Sequence, residues 1–130
     1  MFTSYDEISE RNILGTSLQK CCCDPITGFF RNGYCTSSQF DVGNHIVCAI
    51  MTIDFLDFSK SKGNDLLTPT LGFPGLKAGD RWCLCASRWQ EAYNAGVAPP
   101  VIPEATHAKF LDIIDVKTIS SKYISNERKI

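Results

Sequence analysis

The sequence predicts an α+β fold, a small antiparallel or mixed sheet with three to four helices packed on it. Three observations carry this. The apolar runs at 46–51 and 82–86 have strand length, each runs directly into a segment with helix start and stop signals, and Asn32-Gly33 is a two-residue hairpin signal between extended segments. Two strand-then-helix units would also permit a parallel pair joined by a crossover, so an α/β arrangement is the alternative.

Taken in order, residues 1–11 are polar with little periodicity and read as a mobile lead-in, 12–124 as a single globular domain, and 125–130 as a polar tail. Residues 13–18 form a short extended piece, followed by Cys21-Cys22-Cys23 and a turn at Asp24-Pro25. A hairpin is expected over 29–36, because both residues of Asn-Gly accept positive φ. The near-continuous apolar run that follows His45 suits a strand covered on both faces. Thr52 then caps a helix whose stripe is Phe55, Leu56 and Phe58, with Asp54 in its first turn, Lys60 and Lys62 in its last, and Gly63 just beyond its end.

Residues 64–77 hold Pro69, Gly72, Pro74 and Gly75, and a linker of that length inside a compact domain is more often functional than a short connector. After the Gly79-Asp80 turn and the second strand, Ser87 with Gln90 reads as a capping box opening a helix that Gly96 closes. The prolines hold 97–103 extended. Pro103 suits the first position of a short helix reaching Leu111, 112–114 a brief strand, and Asp115 the cap of a last helix carrying Val116, Ile119 and Tyr123.

Composition excludes several classes of function. With 44% hydrophobic and 21% charged residues, the 130-residue chain is not disordered, and it is large enough to bury a core without disulfide staples. Its net charge is -1 and its basic residues are scattered, which argues against a nucleic-acid partner. No apolar run approaches the ~20 residues a bilayer needs, so no membrane partner is expected. No basic segment leads into an apolar one at the N-terminus, so the expected compartment is the cytoplasm. There, seven cysteines should be mostly thiols, metal ligands or redox partners, and the odd number argues against a fully paired framework.

Many short motifs in this order resemble one family. They are Asn12-Ile13-Leu14-Gly15, Asp24-Pro25-Ile26-Thr27-Gly28-Phe29 with Arg31 and Gly33, His45-Ile46-Val47-Cys48-Ala49, Gly63-Asn64-Asp65-Leu66, Phe73-Pro74-Gly75-Leu76-Lys77, the stretch 79–96, and Ala98-Pro99-Pro100-Val101 to Ala105-Thr106-His107. Together they resemble domain of unknown function 2237, a mostly bacterial family, over roughly residues 12–124. The resemblance implies a single small cytosolic domain and transfers no activity. It places cysteines at Cys21, Cys35, Cys48, Cys83 and Cys85 and histidines at His45 and His107, with Cys22 and Cys23 fitting less firmly. Asn32 stands where the family has Asp and Ala78 where it has Pro; both still suit turns.

The candidate chemistry centres on sulfur. In a strand, Cys83 and Cys85 share a face while Trp82, Leu84 and Ala86 share the other. Cys21, Cys35, Cys83 and Cys85 are the candidate ligands of a metal such as zinc, although a one-residue gap is not the usual zinc spacing. A reversible disulfide from Cys21 or Cys22 to Cys35 is an equal alternative, and buried structural thiols are the plainer reading. Cys85 differs in lying at a helix start, where unpaired amides favour a thiolate.

Candidate catalytic residues are therefore Cys85 and Cys35, with His45 or His107 as base. His107 falls on the stripe of Phe110, Leu111 and Ile114, where a half-buried structural histidine is common. His45 and Cys48 face opposite ways in a regular strand, so a pairing of histidine with cysteine has to form between elements. Arg31 beside the hairpin turn and Arg88 near a helix start could hold an anion, solvated or ion-paired surface arginine being the plainer reading, and phosphate-loop and dinucleotide signatures are absent. Two classes of function remain: a thiol- or metal-dependent site, and a non-enzymatic binding module whose surface is the 64–77 loop with Trp82 and Trp89.

Overall fold

A computed structural model describes residues 10–114 and 121–125. Among these, the regular elements are strand β1 (His45–Ile50), helix α1 (Ile53–Ser61), strand β2 (Arg81–Cys85) and helix α2 (Ala86–Asn94), followed by 3-10 turns at Pro103–Ala105, Ala108–Asp112 and Ser121–Tyr123. The two strands pair antiparallel.

The local signals account for the helices. Thr52 is extended and its hydroxyl accepts from the Phe55 amide at 3.1 Å, opening α1. Both helices end in the same hydrogen-bond pattern: Gly63 N donates to Lys60 O and Asn64 N to Ser59 O, while Gly96 N donates to Tyr93 O and Val97 N to Ala92 O. Gly63 and Gly96 sit at φ of 92° and 81°, the left-handed setting this ending requires. The predicted capping box does not form. Helix α2 begins two residues early, at Ala86, and its N-cap is Cys85, whose side chain makes no capping bond.

The ribbon of β1 and β2 buries both faces. Val47 and Ala49 of β1 lie opposite Leu84 and Trp82 of β2 and join the main core with Phe55, Leu56, Trp89 and Phe110. On the opposite face Cys48 pairs with Cys83, and around them pack Cys21, Cys35, Ile102 and Ala105. Trp89, wholly buried, fixes α2 on this core. Its indole donates to Pro99 O at 2.9 Å and its ring stacks on Tyr93 and meets Phe110 edge-on. Burying a side chain of that size stabilises by roughly 1.5–3 kcal/mol.

A two-stranded ribbon leaves both edges with unpaired backbone groups, and two buried threonines cover them. Thr27 Oγ1 accepts from Cys83 N at 2.8 Å, and Thr106 Oγ1 accepts from Cys48 N at 3.0 Å. The 100–107 segment continues along β1, with Ile50 N donating to Pro100 O, Ile102 N to Cys48 O and His107 N to Ile46 O.

The fold-class expectation of three to four helices is corrected by this architecture: the described residues hold two α-helices and a two-stranded antiparallel sheet. The antiparallel pairing also rules out the α/β crossover alternative for these strands. The 103–111 segment divides into two 3-10 turns because His107 between them is extended, at φ -64° and ψ 144°. Residues 112–114 end the second turn rather than forming a strand.

The 29–36 hairpin is absent as well. Its left-handed residues are Arg31 and Gly33, not Asn32 and Gly33, and its backbone bonds run to other partners: Gly33 N to Thr27 O, and Cys21 N to Gly33 O. The lead-in at 1–9, the helix start at Asp115 with Val116 and Ile119, and the tail from 126 lie outside the described residues. Glu10 and Arg11 are described and pair with the chain at Leu18 and Ser17.

Candidate functional site

The cysteine face of the ribbon is the densest chemical feature. Cys21 is bonded to Cys48 and Cys35 to Cys83, and all four side chains are 0–1% exposed. The sulfurs of Cys21, Cys35 and Cys83 lie within 4.8 Å of one another, so the two disulfides are close neighbours. Of the candidate set Cys21, Cys35, Cys83 and Cys85, the first three lie together with Cys48 while Cys85 stands outside the group, and the disulfides are Cys21–Cys48 and Cys35–Cys83 rather than one from Cys21 or Cys22 to Cys35. The strand alternation that separates Cys83 from Trp82 and Leu84 brings this about from β2.

Cys22, Cys23 and Cys85 carry free thiols. The Cys22 sulfur accepts from the Asp24 amide at 3.4 Å within its own turn. Cys85 is partly exposed, with its sulfur 3.2 Å from the Ser87 hydroxyl.

The strand pairing contains an irregularity that changes the position of His45. Val47 pairs with Leu84 and His45 with Cys85, so β1 uses one residue more than β2 over this step. A regular ladder would place Ile46 opposite Cys85; the bulge places His45 there. Directly paired positions carry their Cβ atoms on one side of the ribbon, roughly 4.5–5.5 Å apart.

His45 is also oriented from behind. The Asp41 side chain is 1% exposed; its Oδ2 accepts from the His45 amide at 2.7 Å, and its Oδ1 lies 2.7 Å from His45 Nδ1. A carboxylate only accepts, so in the neutral ring Nδ1 carries the proton and Nε2 keeps the lone pair. Gly43 permits the arrangement, since a Cβ there would come within 2.8 Å of the imidazole Cε1. Asp41 was not singled out by the sequence, although its spacing to His45 across Gly43 is the signal that could have found it.

His107 has a different setting. Its Nδ1 accepts from the Lys109 amide at 3.0 Å, capping the 3-10 turn at Ala108–Asp112, and its Nε2 lies 3.2 Å from Glu10 Oε1, within ion-pair distance but without hydrogen-bond geometry. Arg88 donates to Lys62 O and Glu91.

Beside His45 opens a cleft of about 600 Å³. Phe29, Leu66, Phe73 and Trp82 supply its apolar walls, and Arg31, His45 and Asp65 its polar groups. Phe73 meets Trp82 at 5.4 Å, and the Arg31 guanidinium lies over the Trp82 ring at 5.2 Å. Asp65 Oδ1 accepts from the amides of Leu67 and Thr68. The Thr68 hydroxyl, more than any other group, holds the Asp65 carboxyl below the usual carboxylate range.

A family model described as uncharacterized protein conserved in bacteria, DUF2237, matches residues 11–123. The chain belongs to this family. No curated protein matches it. The cysteine face, the Asp41–His45 pair and every side chain of the cleft fall inside the part shared with DUF2237. Among the described residues no helix is long and apolar enough to cross a membrane.

Proposed function

We propose that the chain carries a thiol-reactive site in which Cys85 is the nucleophile, His45 the base that takes its proton, and Asp41 the group that orients the base. The bulge at His45 carries this reading, because it sets residue 45 rather than 46 opposite Cys85 on the ladder. Three further features support it: the 2.7 Å contact from Asp41 to His45, the place of Cys85 at the N-cap of α2, and its partial exposure. The Ser87 hydroxyl is placed to donate to the thiolate. The step is a proton transfer from Sγ to Nε2 followed by attack of the sulfur on an electrophilic carbon, whose leaving group departs with the bonding pair and can take up the proton held on Nε2. Cys35, as a disulfide, offers no thiol in this state, and the four buried cysteines serve to hold the scaffold.

Alkylation with iodoacetamide tests this on the native protein, read peptide by peptide. Cys85 is expected to react faster than exposed Cys23, and His45→Gln to slow Cys85 by about tenfold or more while leaving Cys22 and Cys23 unchanged. Equal rates at Cys85 with and without the imidazole would remove the proposal.

A metal is the second reading, favoured by the 4.8 Å grouping of the Cys21, Cys35 and Cys83 sulfurs. Thiolates so spaced suit zinc, but metal and disulfides compete for the same atoms, so this reading requires both bonds to be reduced. Stoichiometric zinc in protein purified under reductant, bound with loss of reactivity at these cysteines, would favour it over the scaffold role.

A further inference from the structure

We propose that the cleft beside His45 binds a small aromatic carboxylate, with the carboxylate held by Arg31 and the ring lodged among Phe29, Phe73 and Trp82. The cleft's volume, about 600 Å³, lies in the range of small-molecule sites, and its walls are mainly apolar. The aromatic side chains come from three separate segments, so the slot exists only in the folded chain. Planar walls at edge-to-face spacing favour a flat apolar body.

The polar groups favour an anion. Asp65, the acidic side chain of the cleft, is turned to its own loop amides at Leu67 and Thr68. His45 Nδ1 is committed to Asp41, so Arg31 remains as the donor. Arg31 is held in place twice: its Nη1 donates to Gly28 O at 2.8 Å and its guanidinium covers Trp82. One of its five donors is engaged with Gly28, and the planar fork matches a carboxylate in two-point contact. The backbone at Arg31 has φ of 53°, uncommon for a residue with a side chain, and the bond from Arg31 N to Gly28 O at 2.9 Å stabilises the turn that imposes it.

The cleft shares His45 with the thiol site but does not depend on Cys85 reacting, so the two proposals fail separately. The probe is 1-naphthoate, titrated into the 15N-labelled chain, with 1-naphthamide as a neutral isostere and inorganic phosphate as an anion without a ring. Naphthoate is expected to shift the Trp82 indole and the Gly28 and Arg31 amides with a Kd below about 5 mM. Arg31→Met, which keeps the stem over Trp82, and naphthamide are each expected to weaken binding by about tenfold, the loss of one charged contact. Arg31→Lys, which keeps the charge without the fork, should weaken it as well. Cys85 alkylation should be unchanged in both variants. The proposal is overturned if naphthoate leaves these resonances unmoved, if naphthamide or Arg31→Met binds as well, or if phosphate moves them equally.

Discussion

Asn12 is wholly buried, and its side-chain amide closes its own 12–17 turn and ties it to the 104 segment. Its Nδ2 lies 2.8 Å from Thr16 Oγ1, 3.1 Å from Ser17 O and 3.0 Å from Glu104 O, while Oδ1 accepts from the Leu14 and Thr16 amides. Removing it leaves buried groups of the chain unpaired, so Asn12→Ala is expected to cost about 2–4 kcal/mol in chemical denaturation. Nothing in the sequence marked this residue as structural, because an asparagine's partners are set by which carbonyls surround it. Asp65 gives a prediction of opposite visibility. Its folded carboxyl titrates lower than in the unfolded chain, so its contribution is present above about pH 4 and lost as pH falls through the folded value. Asp65→Asn should flatten the acid limb of the stability curve; an unchanged limb would show that the Thr68 contacts do not persist in solution.

At the scale of elements, the two α-helices were legible, their number and the start of α2 were not, and the sheet was only half so. Thr52, Gly63 and Gly96 act through residues within four positions, and each is found in its expected cap role. Gly96→Ala meets no neighbour, so its cost should reflect backbone conformation alone, about 1 kcal/mol by thermal unfolding. Trp89→Ala, by contrast, would empty the centre of the core and lose the bond to Pro99 O, with an expected cost of about 3–5 kcal/mol. The hairpin at 29–36 failed because its turn signal was read without its surroundings. Cys35 is fastened to Cys83 and Gly33 O to the Cys21 amide, while Arg31 N and Gly33 N close turns onto Gly28 O and Thr27 O, so the two halves of the segment do not pair with each other as strands. The bulge at His45 was equally invisible, since alternation alone assigns a residue's face and an extra residue reverses it.

For the whole molecule, the disulfides decide most. They close spans of 27 and 48 residues, which in the chain-entropy account stabilise by about 3.5 and 4 kcal/mol. Cys21→Ala/Cys48→Ala and Cys35→Ala/Cys83→Ala should each lower stability by about 2–5 kcal/mol, and the two losses should not add, because sulfurs of the two bonds lie within 4.8 Å of one another. Denaturation midpoints with and without reductant check this; equal midpoints with every thiol titratable would reject the scaffold role.

The sequence by itself determined the two strand segments, both helix endings, the separation of Cys83 from Trp82 across the ribbon, and the family. Those signals are local patterns of shape and polarity. Only the tertiary structure decided the strand direction, the cysteine pairing, the placement of His45 opposite Cys85, and the assembly of the cleft. Each joins residues tens of positions apart, and the choice among such partners depends on how the whole chain buries its apolar surface and satisfies its backbone, which no short stretch encodes.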